Sequence, residues 1–141
     1  MDVLCAYIRM PYDPDPTSPS PPPPGENEVR FTIIKLTSDH LQEGGPWAGN
    51  NFNFRGATFD GGNFFKVAIG DGTILDFTGA TFVRGMVSFM EATFSGGAVK
   101  IVDLSNTKCD SYGKQVVFFP LPVPSQINLP DPPPDCFLED I

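Results

Sequence analysis

Between Phe54 and Asn106 one short phrase keeps returning, an aromatic followed three residues later by Ala and five later by a second aromatic. It reads FRGATF at 54–59, FTGATF at 77–82 and FMEATF at 89–94, with altered copies FKVAIG at 65–70 and IVDLSN at 101–106. The copies start at Phe54, Phe65, Phe77, Phe89 and Ile101, so the intervals are 11, 12, 12 and 12 residues. Internal repetition at so short a period restricts the chain to architectures that stack one small unit many times.

Within a copy, the fourth position is Ala57, Ala68, Ala80, Ala92 or Leu104, and the sixth is Phe59, Phe82 or Phe94. The eleventh, two before the next start, is Phe64, Leu75, Val87 or Val99. Apolar residues therefore fall in pairs two apart: Ala57 with Phe59, Leu75 with Phe77, Ala80 with Phe82, Val87 with Phe89, Ala92 with Phe94, and Val99 with Ile101. A spacing of two places both members on one side of an extended chain. The residues between them, Thr58, Asp76, Thr81, Ser88, Thr93 and Lys100, are expected to face water. The pairs alternate with gaps too short for a helix, and the longer gaps carry Gly61-Gly62, Gly72, Gly85 and Gly96-Gly97. Glycine permits the sharp corners that such a path needs. These features predict the coils of an all-β solenoid. A two-sheet sandwich with glycine turns every 8–12 residues is the competing architecture. The period excludes a coiled coil, and the absence of a long apolar run excludes a membrane span.

The phrase resembles the pentapeptide-repeat family, most closely an actinobacterial-type variant with an aromatic central residue and an extra Gly-Gly corner, as in ATFVRGMVSF (80–89) and ATFSGGAVKI (92–101). The resemblance covers roughly residues 52–106. It implies a right-handed, four-sided β-helix in which two 12-residue copies make one coil, with about two to two and a half coils in all. It also implies a core of Phe54, Ala57, Phe59, Phe65, Ala68, Leu75, Phe77, Ala80, Phe82, Val87, Phe89, Ala92, Phe94, Val99, Ile101 and Leu104. Gly70 and Asn106 stand where that pattern has Phe, and the 11-residue first interval implies a corner residue deleted near Asn63.

The flanks differ in kind. Residues 1–10 contain the apolar-rich DVLCAYIRM, expected to be a short helix stopped by Pro11, and lack the features of a secretory signal. This opening also looks like an internal stretch of longer, sometimes membrane-anchored relatives, implying a truncated or split version of such a protein. Residues 11–25 form a Pro-rich linker of polyproline II character. Residues 26–45 are expected to supply a capping helix with Val29, Ile33, Leu36 and His40 on one face and Gly44-Gly45 as its stop. The repeat domain is placed at 46–112. Residues 113–141 are read as a C-terminal cap, with one strand from Gln115 to Phe119, a Pro-broken extension and a loose acidic tail.

Chemistry-bearing groupings are sparse. His40 is the one histidine and belongs to the expected capping helix. Cys5, Cys109 and Cys136 are odd in number and far apart, without zinc spacing, which points to reduced thiols and a cytoplasmic location. The segment GDGT at 70–73 matches neither a P-loop nor a dinucleotide fingerprint. Asp71, Asp76 and Asp103 do not follow the nonapeptide spacing of calcium-binding β-rolls. The net charge of −8 and pI near 4.3 disfavour nucleic-acid and anionic-membrane partners.

Some pentapeptide-repeat proteins mimic DNA and bind topoisomerase, so inhibition or protection of gyrase is the alternative function. Against it, residues 52–112 hold six acids and five bases, a balance without the continuous negative rod that mimicry requires. The expectation is a non-enzymatic protein-interaction or scaffold module with no cofactor, a protein partner of unknown identity, and at most weak homodimerisation.

Overall fold

A computed structural model describes residues 2–10, 24–42, 44–59, 61–82, 87–102, 106–107, 117–119, 127–128 and 137–139. Two helices come first, α1 (Asp2–Ile8) and α2 (Glu26–His40). The strands that follow have two or three residues each: β1 (Asn51–Asn53), β2 (Thr58–Phe59), β3 (Gly62–Asn63), β4 (Ala68–Ile69), β5 (Ile74–Asp76), β6 (Thr81–Phe82), β7 (Val87–Ser88), β8 (Thr93–Phe94), β9 (Ala98–Lys100), β10 (Asn106–Thr107), β11 (Val117–Phe119), β12 (Ile127–Asn128) and β13 (Phe137–Glu139).

Strands adjacent in sequence do not pair with one another. They are dealt into four sheets, ordered β1-β5-β9-β12, β2-β6-β10, β3-β7-β11-β13 and β4-β8. Thus β1 to β4 fall one in each sheet, and β5 to β8 revisit the four in the same order. All pairings among the described residues are parallel, whereas a sandwich of hairpins requires antiparallel pairs. Asn51 stands beside Ile74 and Ile74 beside Ala98, offsets of 23 and 24 residues. The return period along a sheet is about twice the 12-residue period of the sequence.

The corners explain the recurring phrase. In each, the fourth residue donates its N–H to the carbonyl of the first: Ala57 to Phe54 (3.1 Å), Val67 to Phe64 (3.3 Å), Ala80 to Phe77 (3.0 Å) and Ala92 to Phe89 (3.1 Å). The third residue is left-handed, as a type II turn requires, at Gly56 (φ 70°), Lys66 (61°), Gly79 (71°) and Glu91 (58°). The residue before each turn caps it. Asn53 Oδ1 accepts from the N–H of Arg55 (3.1 Å), Asn63 Oδ1 from Phe65 (3.0 Å), Asp76 Oδ1 from Thr78 (3.0 Å) and Ser88 Oγ from Met90 (3.2 Å). Short polar side chains form such local bonds readily. Corners also bond to the corners beside them, Phe54 N–H to the Asp76 carbonyl (2.9 Å) and Phe64 N–H to the Ser88 carbonyl (2.8 Å).

Lys66 and Glu91 occupy a conformation that costs a non-glycine residue about 1–2 kcal/mol. Glycine relieves that strain but loses more entropy on folding. Lys66→Gly and Glu91→Gly are therefore each expected to stabilise by about 0.5 kcal/mol, and Gly56→Ala to destabilise by about 1 kcal/mol, as urea midpoints will show.

The caps correct the register of the second copy. Its corner begins at Phe64, not Phe65, because Asn63 takes the capping position and Lys66 the left-handed one. Phe64 is fully buried and Phe65 is 38% exposed. The inward set is Phe64, Val67 and Ile69, leaving Ala68 half-buried. Ile69 thus fills the place for which Gly70 stood in the shifted reading. The compression lies between β2 and β3, which start four residues apart, at 58 and 62, against six for β6 and β7, at 81 and 87.

Elsewhere Phe54, Ala57, Phe59, Leu75, Phe77, Ala80, Val87, Phe89, Val99 and Ile101 are buried. Ala92 and Phe94 are only half-buried, since no described strand lies beyond β8 in its sheet. Phe82 lies in β6, but its side chain, like all of Leu104, lies outside the described residues. Asp76, expected to face water, is 7% exposed. Its carboxylate also accepts from the Thr78 hydroxyl at 2.6 Å and lies 3.7 Å from Arg55. The core is a phenylalanine column centred on Phe77, whose ring centroid is 5.3 Å from those of Phe54 and Phe59, 5.9 Å from Phe64 and 6.1 Å from Phe89.

The helices pack on two of the first four strands, α1 on β1 and α2 on β3. Helix α2 buries Ile33 as expected, together with Arg30, Ile34, Thr37 and Ser38, while Val29 and Leu36 are exposed and His40 is half-buried. Polar residues on the buried stripe hid its direction from hydropathy. Gly62 lets Ile34 sit directly against β3, where an added Cβ would be 2.7 Å from Ile34 Cδ1. At the other end, β11 and β12 extend two of the sheets, and Ile127 is buried beside Val99. Phe137–Glu139, expected within the loose tail, instead forms β13 alongside β11. The remainder of 113–141, like most of the 11–25 linker, lies outside the described residues. Among the described residues no helix is long and apolar enough to cross a membrane.

Candidate functional site

A groove of about 730 Å³ runs between α2 and the sheet containing β3 and β7. One wall is the outward stripe of α2, formed by Phe31, Lys35 and Asp39 and continued past the end of the helix by Gln42. A spacing of four residues keeps Phe31, Lys35 and Asp39 on one helical face. The other wall is Asn63, Phe65 and Ser88, with Gly62 between the two.

Two large aromatic side chains dominate it, Phe31 at 41% and Phe65 at 38% exposure. Phe65 is fixed at its backbone. Asn63 Oδ1 accepts its N–H at 3.0 Å, while Ser38 Oγ and Gln42 Nε2 donate to its carbonyl at 3.0 and 3.2 Å. Gln42 also donates to the Ser38 carbonyl at 2.7 Å. The Phe65 ring is thus presented outward by a tethered backbone, with the Lys66 ammonium 5.2 Å from its centroid. Lys35 and Asp39 pair at 2.7 Å, so the helical wall carries no net charge. The groove offers apolar contact bordered by amide and hydroxyl groups, a chemistry of binding.

The other candidate residues stand apart from it. His40 stacks on Trp47 with centroids 4.5 Å apart, and its Nδ1 lies 2.8 Å from the Leu36 carbonyl. Asp71 is exposed and Asp76 is occupied in its corner. Cys5 is on the buried face of α1, whereas Cys109, Cys136 and Asp103 lie outside the described residues. Among the described residues no three His, Cys, Asp or Glu side chains are grouped to hold a metal ion.

The groove was not legible from hydropathy, which assigned Phe65 to the interior. The signal that locates it is the short polar residue before each corner, since Asn63 marks Phe64 as inward and leaves Phe65 outside. Comparison with protein-family models, curated proteins and solved structures finds no match to this chain.

Proposed function

We propose that this chain is a non-enzymatic protein-interaction module on a short, four-sided, pentapeptide-repeat-like β-helix, with α1 and α2 at one end and β11 and β12 extending two of its sheets at the other. The repeating phrase, the fourfold order of the sheets and the double-length return period support that architecture. The observation that carries the function is the pair Phe31 and Phe65, whose rings border a groove between α2 and the sheet containing β3 and β7. Keeping two rings partly in water forgoes burial that contributes roughly 1.5–3 kcal/mol per side chain. Exposed apolar surface on a rigid scaffold is characteristic of interaction sites. The partner is a protein segment with an apolar anchor that fits between the rings and polar backbone that meets Asn63, Gln42 and Ser88.

The test is affinity capture by the intact chain beside the Phe31→Ala, Phe65→Ala double variant. Both rings are well exposed, so the variant is expected to keep its urea midpoint within the equivalent of about 1 kcal/mol while losing at least tenfold in capture. Unchanged capture removes the groove from the function. Turnover of a small molecule that depends on a named side chain overturns the non-enzymatic reading.

A further inference from the structure

Helix α1 has seven residues, too few to persist on its own in water. Its form depends on its seat. The apolar part of that seat is small: Cys5 and Ile8 are buried, Leu4 and Tyr7 only partly, and Val3 is 79% exposed. Ile8 borders a crevice shared with Ile34 and Phe59.

Most of the fastening is polar and converges on one side chain. Arg30 is 5% exposed and donates from Nη1 to the Ile8 carbonyl at 3.0 Å and from Nη2 to the Met10 carbonyl at 3.1 Å. The Ile8 carbonyl belongs to the last turn of α1, where carbonyls lack partners within the helix, and Met10 follows two residues beyond it. Its Nε donates to Glu26 at 2.9 Å, and the same carboxylate accepts the Tyr7 hydroxyl at 2.7 Å. The hydrogen bond to Glu26 raises the Tyr7 pKa above its ordinary value. A second arginine reaches the strand itself, Arg9 Nη1 donating to the Asn53 carbonyl at 2.7 Å. That carbonyl belongs to β1, the terminal strand of its sheet, which pairs only with β5 among the described residues. In sequence, the Pro-rich stretch 11–25 separates α1 from α2.

We infer that α1 is a detachable strap, latched by Arg30 and Arg9, which shields the edge of β1 and releases as a unit while the sheets stay folded. The closed strap walls one side of the crevice beside Phe59 with Ile8 and occupies an edge carbonyl, as edge protection requires. Release uncovers both at once. A small apolar seat and a latch centred on one side chain place α1 at the low-stability end of the local openings a folded protein undergoes.

The thiol of Cys5 reports the opening directly. In a full-length chain carrying Cys109→Ser and Cys136→Ser, maleimide labelling of Cys5 is followed in urea concentrations below the unfolding transition, beside Trp47 fluorescence as the monitor of global unfolding. The expected result is labelling that hardly varies with urea, because local release exposes little surface. It is also expected to be at least tenfold faster than global unfolding allows. Arg30→Lys, which keeps the charge but loses the fork, is expected to accelerate labelling about tenfold or more. If labelling follows the Trp47 transition with the same urea dependence, α1 is an integral part of the core and the strap is overturned. Local labelling that Arg30→Lys does not accelerate overturns the latch. The urea series on the parent chain decides the first question even if the arginine variant fails to fold.

Discussion

Phe77→Ala is expected to lower stability by about 3–5 kcal/mol, the range for removing a fully buried aromatic side chain, and to shift the urea midpoint accordingly. Phe77 is completely buried, and the ring centroids of Phe54, Phe59, Phe64 and Phe89 lie within 6.1 Å of its own. Its removal leaves a cavity that cannot collapse without moving residues in several strands, because the corner backbones are bonded to one another. The Phe77 N–H donates to the Lys100 carbonyl at 2.8 Å, and its carbonyl accepts from Ala80. The informative control is Phe65→Ala. The 12-residue repeat treats positions 65 and 77 as equivalent, while the structure leaves Phe65 partly in water. A change of no more than about 1 kcal/mol is expected there, and equal losses at the two positions would restore the register that begins at Phe65.

The second large effect is expected from Gly97→Ala. A Cβ at Gly97 would lie against the carbonyl oxygens of Thr73 and Gly70, at 2.6 Å from the latter, and 2.7 Å from Ile69 Cγ2. Two of these three obstacles are backbone, so the methyl is accommodated only by spreading strands β5 and β9, at about 3 kcal/mol. Gly70→Ala is the matched comparison. Its nearest obstacle is Ser95 Oγ at 3.5 Å, ordinary contact, and its stability is expected to stay within about 1 kcal/mol of the parent. Thermal midpoints of the two variants check the contrast. Equal midpoints would show that the chain does not pass so closely at Gly97.

These experiments also separate what a sequence states from what a fold adds. The pairing of small and large apolar residues two apart made the alternation of strand and corner readable, since a period of two has one physical meaning in an extended chain. The first, third and fourth copies are read correctly at Phe54, Phe77 and Phe89 because only one aromatic stands at each start. The second copy offers Phe64 and Phe65 side by side. Hydropathy cannot rank two identical rings, and only the bond from Asn63 to the Phe65 N–H decides that Phe64 turns inward. The candidate groove follows from that one decision.

Burial of polar groups was hidden for a related reason. Asp76, expected to face water, is buried in its own corner, where Thr78 donates to it from the N–H and the hydroxyl and Arg55 lies 3.7 Å away, whereas Arg30 is buried by bonds to the Ile8 and Met10 carbonyls that only the fold brings to it. What the sequence determined by itself is the repeat, its alternation and the positions of the corners at Phe54, Phe77 and Phe89, all set by local spacing and turn chemistry. Which stripe of α2 touches β3 and where α1 is fastened were settled by the tertiary structure, because those choices depend on partners 20 to 44 residues away.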